Sequence, residues 1–530
     1  MAYDYSKLQN GSDIRGIAIG SPAEPVNLDS EAVSRLAKGF LYLLSHSTDK
    51  EPNELCIAVG RDSRISGPDL VRDIVSALTP YGAKVLDSGL SSTPAMFMST
   101  VFEEFKCDGA IMVTASHMPS NRNGMKFFDA CGGLDKGDIA DIITFAESSS
   151  VLGRLIPKAA SDPIKANLMD VYSAHLKKKI VDALDSGETP LSGLSITVDA
   201  GNGAGGFYAE KVLSPLGADV SSSQFLEPDG SFPNHIPNPE DKEAIESICA
   251  KVREAKTDLG LIFDTDVDRV SAVDESGKEI NRNAIVALAA ALIADSHPGS
   301  TVVTDSVTSR GLTSFLEGSL GLKHLRFKRG YKNVINKSIE LNAQGIESDL
   351  AIETSGHAAY KENFFLDDGA YLATKIVIAA AKCKKEGKGI ASLISDLSEP
   401  LESLEVRLPI IGSDFGAVGD SIIEDLRTIS SSGELSDCSL EEPNYEGVRI
   451  NFNNSSIKGW MLLRKSLHEP IMPLNFESDV EGGCIKIAEL LIPLLSKYDN
   501  LDIGKLKELV KEKMDLISLL MKETIIEVVL

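Results

Sequence analysis

GAIMVTASHMPSNRNGMKFF, residues Gly109 to Phe128, is the stretch on which the reading of this chain turns. Its apolar run Ala110-Ile111-Met112-Val113 predicts a buried strand. The run stops at Thr114-Ala115-Ser116-His117, and Pro119, Asn121, Asn123 and Gly124 then spell a tight polar loop. A serine hydroxyl at the end of a buried strand, beside a histidine and within reach of Lys126, suits a carrier of a transferred group. The same residues also suit an ordinary strand-to-loop turn. Three further polar clusters bear on that choice.

In Leu261-Ile262-Phe263-Asp264-Thr265-Asp266-Val267-Asp268-Arg269 an apolar strand ends in carboxylates at every second position. Three like charges packed together are costly unless a cation neutralises them. Alternation along an extended backbone would point all three to one side, offering hard oxygen ligands to Mg²⁺. The loop lacks the glycine and the distant glutamate of an EF-hand, which disfavours calcium; a solvated acidic turn is the plain alternative. Ile352-Glu353-Thr354-Ser355-Gly356-His357 also follows a short apolar segment. It offers acceptors and donors for a polyol, and an imidazole able to shuttle a proton near neutral pH. The last cluster, Trp460 to Pro470, delivers Arg464 and Ser466 from a strand into a loop. Arginine grips phosphate bidentately, and serine and backbone N–H groups complete such a cradle; an exposed edge-strand arginine reads the same way.

A chain of 530 residues exceeds one core and predicts three to five domains. With 43% hydrophobic and 25% charged residues it falls among soluble globular proteins. A net charge of −25 argues against nucleic acid as a partner, so any anionic substrate must meet locally concentrated Arg and Lys. No apolar run reaches the ~18 residues that span a bilayer, and no membrane association is expected. The seven cysteines are dispersed without CxxC spacing, arguing for a reducing compartment and against disulfides or zinc. The first residues lack a basic region followed by an apolar core. A cytoplasmic location is expected, or a plastid one if a transit peptide precedes this numbering.

The layout strand, Gly-rich loop, helix marks α/β architecture. It occurs at Cys56–Val59 running into Gly60-Arg61-Asp62-Ser63-Arg64, with Pro68 opening the next helix. It recurs at 194–198 into Asp199–Gly206 and at 301–303 into Thr304-Asp305-Ser306. Asp29 or Ser30 is positioned to cap a helix carrying Val33, Leu36, Ala37, Phe40 and Leu43. From about residue 405, strands at 403–408, 447–452 and 459–464 alternate with helices near 413–430 and 482–496, predicting a separate α+β domain. The fold class expected is therefore α/β, three consecutive similar domains followed by a C-terminal α+β domain. The last thirty residues predict an amphipathic helix carrying Leu506, Leu509, Val510, Ile517, Leu520 and Met521, packed on the protein's own body.

These clusters, in this order from about residue 10 to about 495, resemble the α-D-phosphohexomutase superfamily of phosphoglucomutases, phosphomannomutases and phosphoglucosamine mutases. The Ser116 segment is similar to that family's TASHNP loop, and Asp264–Arg269 to its DGDxDR loop. Glu353–His357 is similar to GExSGH, and Arg464–Pro470 to RPSGTEP. Asp13-Ile14-Arg15-Gly16, Gly60–Arg64, Glu227-Pro228-Asp229-Gly230 and Gly330-Tyr331-Lys332 add further matches. Departures are Met118, Thr265, Ile352, His468, Lys465-Ser466-Leu467 and Ser12.

The resemblance implies domains at 1–160 (phosphoserine loop), 161–290 (metal loop), 291–404 (sugar loop) and 405–500 (a TATA-binding-protein-like phosphate-binding domain) around a central cleft, then the helix 501–530. It implies an isomerase interconverting hexose 1-phosphate and hexose 6-phosphate, of glucose or mannose, through a phosphoserine and a bisphosphorylated sugar. The alternatives are a phosphoglucosamine mutase, a phosphosugar-binding homologue with weak or no turnover, or a Mg²⁺-dependent phosphatase. Ser116, Arg15, His117, Lys126 and His357 are the implied catalytic set. Lys332, Glu353, Ser355, Arg464, Ser466 and His468 would bind substrate, and Ser116, Asp264, Asp266 and Asp268 would hold Mg²⁺. A hexose 1,6-bisphosphate would serve as activator, and the chain would act as a monomer or homodimer.

Overall fold

The computed structural model describes residues 4–412, 414–433, 435, 437–466 and 469–512. They form two compact units: residues up to 304 with 320–324 and 330–395, and 305–319 with 325–329 and residues from 396 on. No helix among the described residues is long and apolar enough to cross a membrane.

The first unit opens on an eight-stranded mixed sheet. Cys56–Arg61 lies parallel to both Lys84–Leu90 and Gly109–Val113. Arg122–Asp129 then runs antiparallel beside Gly109–Val113 and carries Asp13–Ile17 on its far side. All five residues of Gly109–Val113 are buried, as its unbroken apolar run predicts for a strand covered on both faces. Asp29 caps the helix Ser30–Thr48, its carboxylate accepting from Ala32 N at 2.8 Å. Val33, Leu36, Ala37 and Phe40 on that helix are fully buried, with Leu43 packed against the same core. Pro68 sits in the first turn of Gly67–Leu78, where its missing N–H costs nothing.

A second sheet pairs Ile196–Asp199 parallel with Leu259–Phe263, which forms a hairpin with Val270–Val273. A third pairs Thr301–Thr304 parallel with Leu350–Ile352, followed antiparallel by Ala358–Tyr360 and Leu366–Asp367. The acidic loop and the 353–357 loop are thus the tips of two hairpins, and an isolated bridge between Arg269 and His357 ties them together.

The second unit carries a five-stranded antiparallel sheet in the order Glu402–Pro409, Ile471–Ser478, Gly459–Leu463, Val448–Phe452, Cys438–Leu440. Helices Phe415–Ser432 and Gly483–Leu495 contribute to its core. The expected strands and helices are present. Cys438–Leu440 at one edge and Ile471–Ser478, next to the other, are the two strands that the sequence reading did not include; Pro473 in the latter is unusual for a strand flanked on both sides. Pro473 lies one residue beyond the ladder with Gly459–Leu463, whose last pair is Leu463 with Leu474. Of the expected terminal helix, residues 504–512 are helical, with Leu506 and Val510 buried in this core. Ile517, Leu520 and Met521 lie outside the described residues.

Candidate active site

Ser116 follows the strand Gly109–Val113 by three residues and is held with φ +49°, its N–H donating to Thr114 Oγ1 at 2.9 Å. A non-glycine residue in the left-handed region is sterically costly and marks a constrained position. The hydroxyl donates to Asp264 Oδ2 at 3.2 Å and stands 3.2 Å from His117 Nδ1. Arg269 Nη2 donates to Ser116 Oγ at 3.4 Å and to His117 Nδ1 at 2.7 Å. A ring nitrogen that accepts from a guanidinium carries no proton. His117 as a whole is exposed, but desolvation of the ring where it meets Arg269, together with the charges of Arg269 and Arg15, pushes it down to about 3.

The three carboxylates Asp264, Asp266 and Asp268 are buried and converge, one oxygen from each lying within 4.8 Å of the others. They do so through a turn rather than by strand alternation. Val267 has φ +67°, costly for a β-branched residue, and its carbonyl is anchored by Gly369 N at 3.1 Å. Close approach fixes the loop from the other side. Ala204 N donates to Thr265 O at 2.8 Å, and a Cβ on Gly203 would stand 2.7 Å from that same oxygen. Lys126 Nζ donates to Asp266 Oδ2 at 3.1 Å and to Asp268 Oδ2. Thr93 Oγ1 donates to Asp266 Oδ2 at 2.5 Å, and Arg269 Nε to Asp264 Oδ2 at 3.2 Å.

Asp266 Oδ1 and Asp268 Oδ1 are buried without a hydrogen-bond donor among the described residues. Orphaned buried carboxylate oxygens in an all-oxygen donor set fit a hard divalent cation. Burial and the neighbouring Asp268 raise Asp264 above the ordinary carboxylate range, outweighing Arg269. Burial would raise Asp268 too, but Lys126, His357 and Arg269 hold it below that range. Lys126 is buried, which by itself would lower it; Asp266 and Asp268 outweigh this and keep it charged. It therefore offers positive charge rather than a free base.

Arg15 donates from Nη1 to Thr114 O at 2.6 Å and from Nη2 to Asp13 Oδ2 at 2.7 Å. That places its guanidinium beside the Ser116 segment. His357 Nδ1 lies 2.5 Å from Asp367 Oδ2 and 4.0 Å from Asp268 Oδ1. Burial would lower it, but the two aspartates lift it to about 9, so the ring is charged at neutral pH rather than poised to titrate there. Tyr331 stacks on His357 with ring centroids 5.2 Å apart. Glu353 Oε1 accepts from Gly330 N at 2.6 Å, and Ser355 is buried in the same loop. Lys332 Nζ donates to Gly133 O at 2.5 Å. Lys126, Asp268, Tyr331, Lys332 and Asp367 share the lining of a cavity of about 230 Å³.

Gly356 turns this loop with φ +92°, and a Cβ there would lie 2.7 Å from Val270 O. Gly356→Ala is expected to cost at least about 1 kcal/mol from the backbone conformation alone, and more from the clash. A thermal scan should show the variant unfolding below wild type; an unchanged midpoint would mean the loop has room to shift.

The structure thus gathers Ser116, His117, Arg15, Lys126, the three aspartates and His357 in the first unit, with Glu353, Ser355 and Lys332 on adjoining segments. Arg464 and Ser466 belong to the second unit, and His468 lies outside the described residues. Arg464 is buried, and that burial lowers it from the ordinary arginine value. Its Nε has no acceptor among the described residues. Ser466 N donates to Ile471 O at 3.0 Å, and its hydroxyl accepts from Glu469 N at 3.3 Å. Sequence reasoning missed Thr93 and Asp367 as members of the cluster. Thr93 is hidden in Ser92-Thr93-Pro94, which reads as a helix start. Asp367 is masked by Asp368, the N-cap of Gly369–Lys385.

Family models for phosphoglucomutase/phosphomannomutase alpha/beta/alpha domains I, II and III match residues 6–149, 170–277 and 281–400. A phosphomannomutase/phosphoglucomutase of Pseudomonas putida is 32% identical over 437 residues, covering 82% of this chain and 86% of that protein. The one from Pseudomonas aeruginosa is 30% identical over 461 residues, covering 84% and 89%. Among solved structures, a phosphoglucomutase/phosphomannomutase family protein from Burkholderia thailandensis shares the fold. Its TM-score is 0.76 at 24% identity, over 94% of this chain and 98% of that one. The chain belongs to the phosphoglucomutase/phosphomannomutase family of the α-D-phosphohexomutase superfamily, isomerases that work by phosphoryl transfer.

Proposed function

We propose that this chain interconverts hexose 1-phosphate and hexose 6-phosphate, of glucose or mannose, with Ser116 as the phosphoryl carrier. The observation that carries this reading is the Ser116 hydroxyl, held 3.2 Å from Asp264 with Arg269 Nη2 at 3.4 Å. In the first transfer the bond from phosphorus to Ser116 Oγ breaks as a bond to the free sugar hydroxyl forms. The hydroxyl proton in effect replaces the phosphoryl group on Ser116. The bisphosphorylated sugar then turns over and returns its other phosphate to Ser116. Such a transition state is loose and calls for positioning and charge compensation more than for covalent chemistry.

Lys126, Arg269 and Arg15 supply fixed positive charge around Oγ. His117, uncharged, accepts from Arg269 and keeps that guanidinium at the oxygen. Glu353 and Ser355 offer acceptors and a hydroxyl for sugar hydroxyls, while charged His357 and Lys332 favour an anionic ligand. Asp264, Asp266 and Asp268, with an oxygen on Ser116, would hold Mg²⁺, which when bound would offset charge on the transferring phosphoryl group. Hexose 1,6-bisphosphate is the activator in this scheme, because it restores phosphate to Ser116 after an abortive release.

Arg464 and Ser466 would grip the phosphate that is not reacting. Arginine's charge is permanent and its fork matches phosphate oxygens. Arg464→Ala is therefore expected to lower kcat/KM by roughly 2–4 kcal/mol, with Arg464→Lys in between. Equal kcat/KM in Arg464→Ala and wild type would remove Arg464 from the phosphate site. The mutase reading itself is tested by a coupled assay on glucose, mannose and glucosamine phosphates with bisphosphate present, together with the intact mass of the same sample. Turnover of a hexose phosphate and a phosphoryl adduct on Ser116 are expected. Binding without turnover on all three sugars would overturn the reading.

A further inference from the structure

The loop that presents Ser116 has little regular structure of its own. Its carbonyl groups turn inward to one side chain, Arg64, whose guanidinium is fully buried. Nη2 donates to Ser116 O at 2.5 Å and Met118 O at 2.6 Å, and Nη1 to Pro119 O at 2.8 Å and Arg122 O at 2.9 Å. One planar fork thus satisfies four carbonyl oxygens of a single loop. Arg64 is itself fixed from behind. Asp62 Oδ1 accepts from Arg64 N at 2.9 Å, Asp62 Oδ2 lies 3.4 Å from Nε, and the Phe232 ring stands 5.3 Å from Cζ. We propose that Arg64 is a positioning residue for both phosphoryl transfers. By clamping the 116–122 carbonyls it holds Ser116 at its costly φ and keeps Oγ directed at the Asp264–Arg269 cluster. This rests on the reading of Ser116 as the phosphoryl carrier.

The physical need is specific. Four carbonyl dipoles converging on one fork repel one another, and losing it costs free energy at those left without a donor, Pro119 O alone keeping a second one among the described residues, from Arg122 N at 2.9 Å. Without the fork, the inexpensive response is for peptide units to rotate outward, and the residue with most strain to release is Ser116. A lysine carries the charge but not the planar array of donors, so it can serve only part of the set. The sugar-binding loop, on a different sheet, makes no hydrogen bond to Arg64 among the described residues. The clamp should therefore act on turnover and leave substrate affinity nearly alone.

The experiment compares full-length wild type, Ser116→Ala, Arg64→Lys and Arg64→Gln. It reads kcat and KM at saturating bisphosphate, phosphate on Ser116 by intact mass, and amide hydrogen exchange across the chain. Arg64→Gln is expected to lose about 100-fold in kcat, the scale of a misplacement near 1 Å, with KM within about threefold of wild type. Arg64→Lys should fall between the two, and faster exchange should be confined to residues 114–124. A role in stability alone would instead lower the unfolding temperature and spread the faster exchange beyond the loop while sparing kcat. Wild-type kcat in both variants would overturn the proposal, as would a KM effect without a kcat effect. Collapse of the fold in both would overturn it too, since Arg64 would then hold the domain rather than the loop. Inactive wild type with no phosphate on Ser116 would overturn the mutase reading and this proposal together. Active wild type, dead Ser116→Ala and unimpaired Arg64 variants would overturn this proposal alone.

Discussion

Ser116→Ala is expected to lower mutase turnover by roughly 10⁴–10⁶-fold, the scale seen when an enzyme loses its nucleophile. The fold should survive. Ser116 Oγ is one small buried group whose hydrogen bonds go to Asp264, His117 and Arg269, and alanine vacates the site without introducing bulk. Charge remains balanced, because Asp264 keeps Arg269 as its partner. Intact mass should show no phosphoryl adduct on the variant after incubation with bisphosphate, whereas wild type gains one. Residual turnover above about 1% of wild type would mean that another group carries the phosphate. Cysteine is the informative second substitution. A thiolate is nucleophilic but differs in size and reach, so Ser116→Cys should form the adduct slowly and turn over poorly.

How much of this was legible beforehand follows the physics of each signal. The strand Gly109–Val113 was readable because burial on both faces demands an unbroken apolar run, and Ser116 because polar residues interrupt that run abruptly. The helix Ser30–Thr48 was readable from its cap and its period. What escaped were contacts made by residues already explained by a local role. Thr93 opens a helix and Asp367 sits beside a helix cap, so neither needs a functional reason to be where it is. Arg64 was read as one residue of a matching segment. Its four-carbonyl grip depends on the fold of the 116–122 loop, some fifty residues away, which no local pattern encodes. The convergence of the aspartates was read correctly as an outcome but with the wrong backbone. Alternation along a strand is the inexpensive route, and the chain instead spends strain at Val267, which Gly369 anchors from another segment. Two strands escaped as well: Cys438–Leu440 is too short to show a period, and Ile471–Ser478 carries Pro473, which stays paired with Arg407 but lies one residue past the end of the ladder with Gly459–Leu463.

Removing the divalent cation is expected to silence the enzyme as thoroughly as removing one of its ligands, and the two together separate metal binding from ion pairing. Lys126 and Arg269 already neutralise part of the charge on Asp264, Asp266 and Asp268. A sceptical reading is that these cations are all the triad needs. Against it stand Asp266 Oδ1 and Asp268 Oδ1, buried and without a hydrogen-bond donor among the described residues. Arg269 Nε and His357 Nδ1 come no closer than 3.9 Å to the latter, a costly arrangement unless a cation binds there. If a cation does, EDTA should abolish turnover and Mg²⁺ restore it. Mg²⁺ alone, with no sugar present, should raise the unfolding temperature, by about 2.7 kcal/mol of stabilisation at 100 times its Kd. Asp266→Asn should lose that thermal response and several kcal/mol of transition-state stabilisation, because an amide is a weaker ligand than a carboxylate. Lys126→Met removes a cation but no ligand oxygen, so it should keep the thermal response, or strengthen it, while losing activity. Should turnover persist after exhaustive chelation, or Asp266→Asn and wild type respond alike to Mg²⁺, the triad would be an ion-pair network. Lys126 and Arg269 alone would then have to compensate the phosphoryl charge.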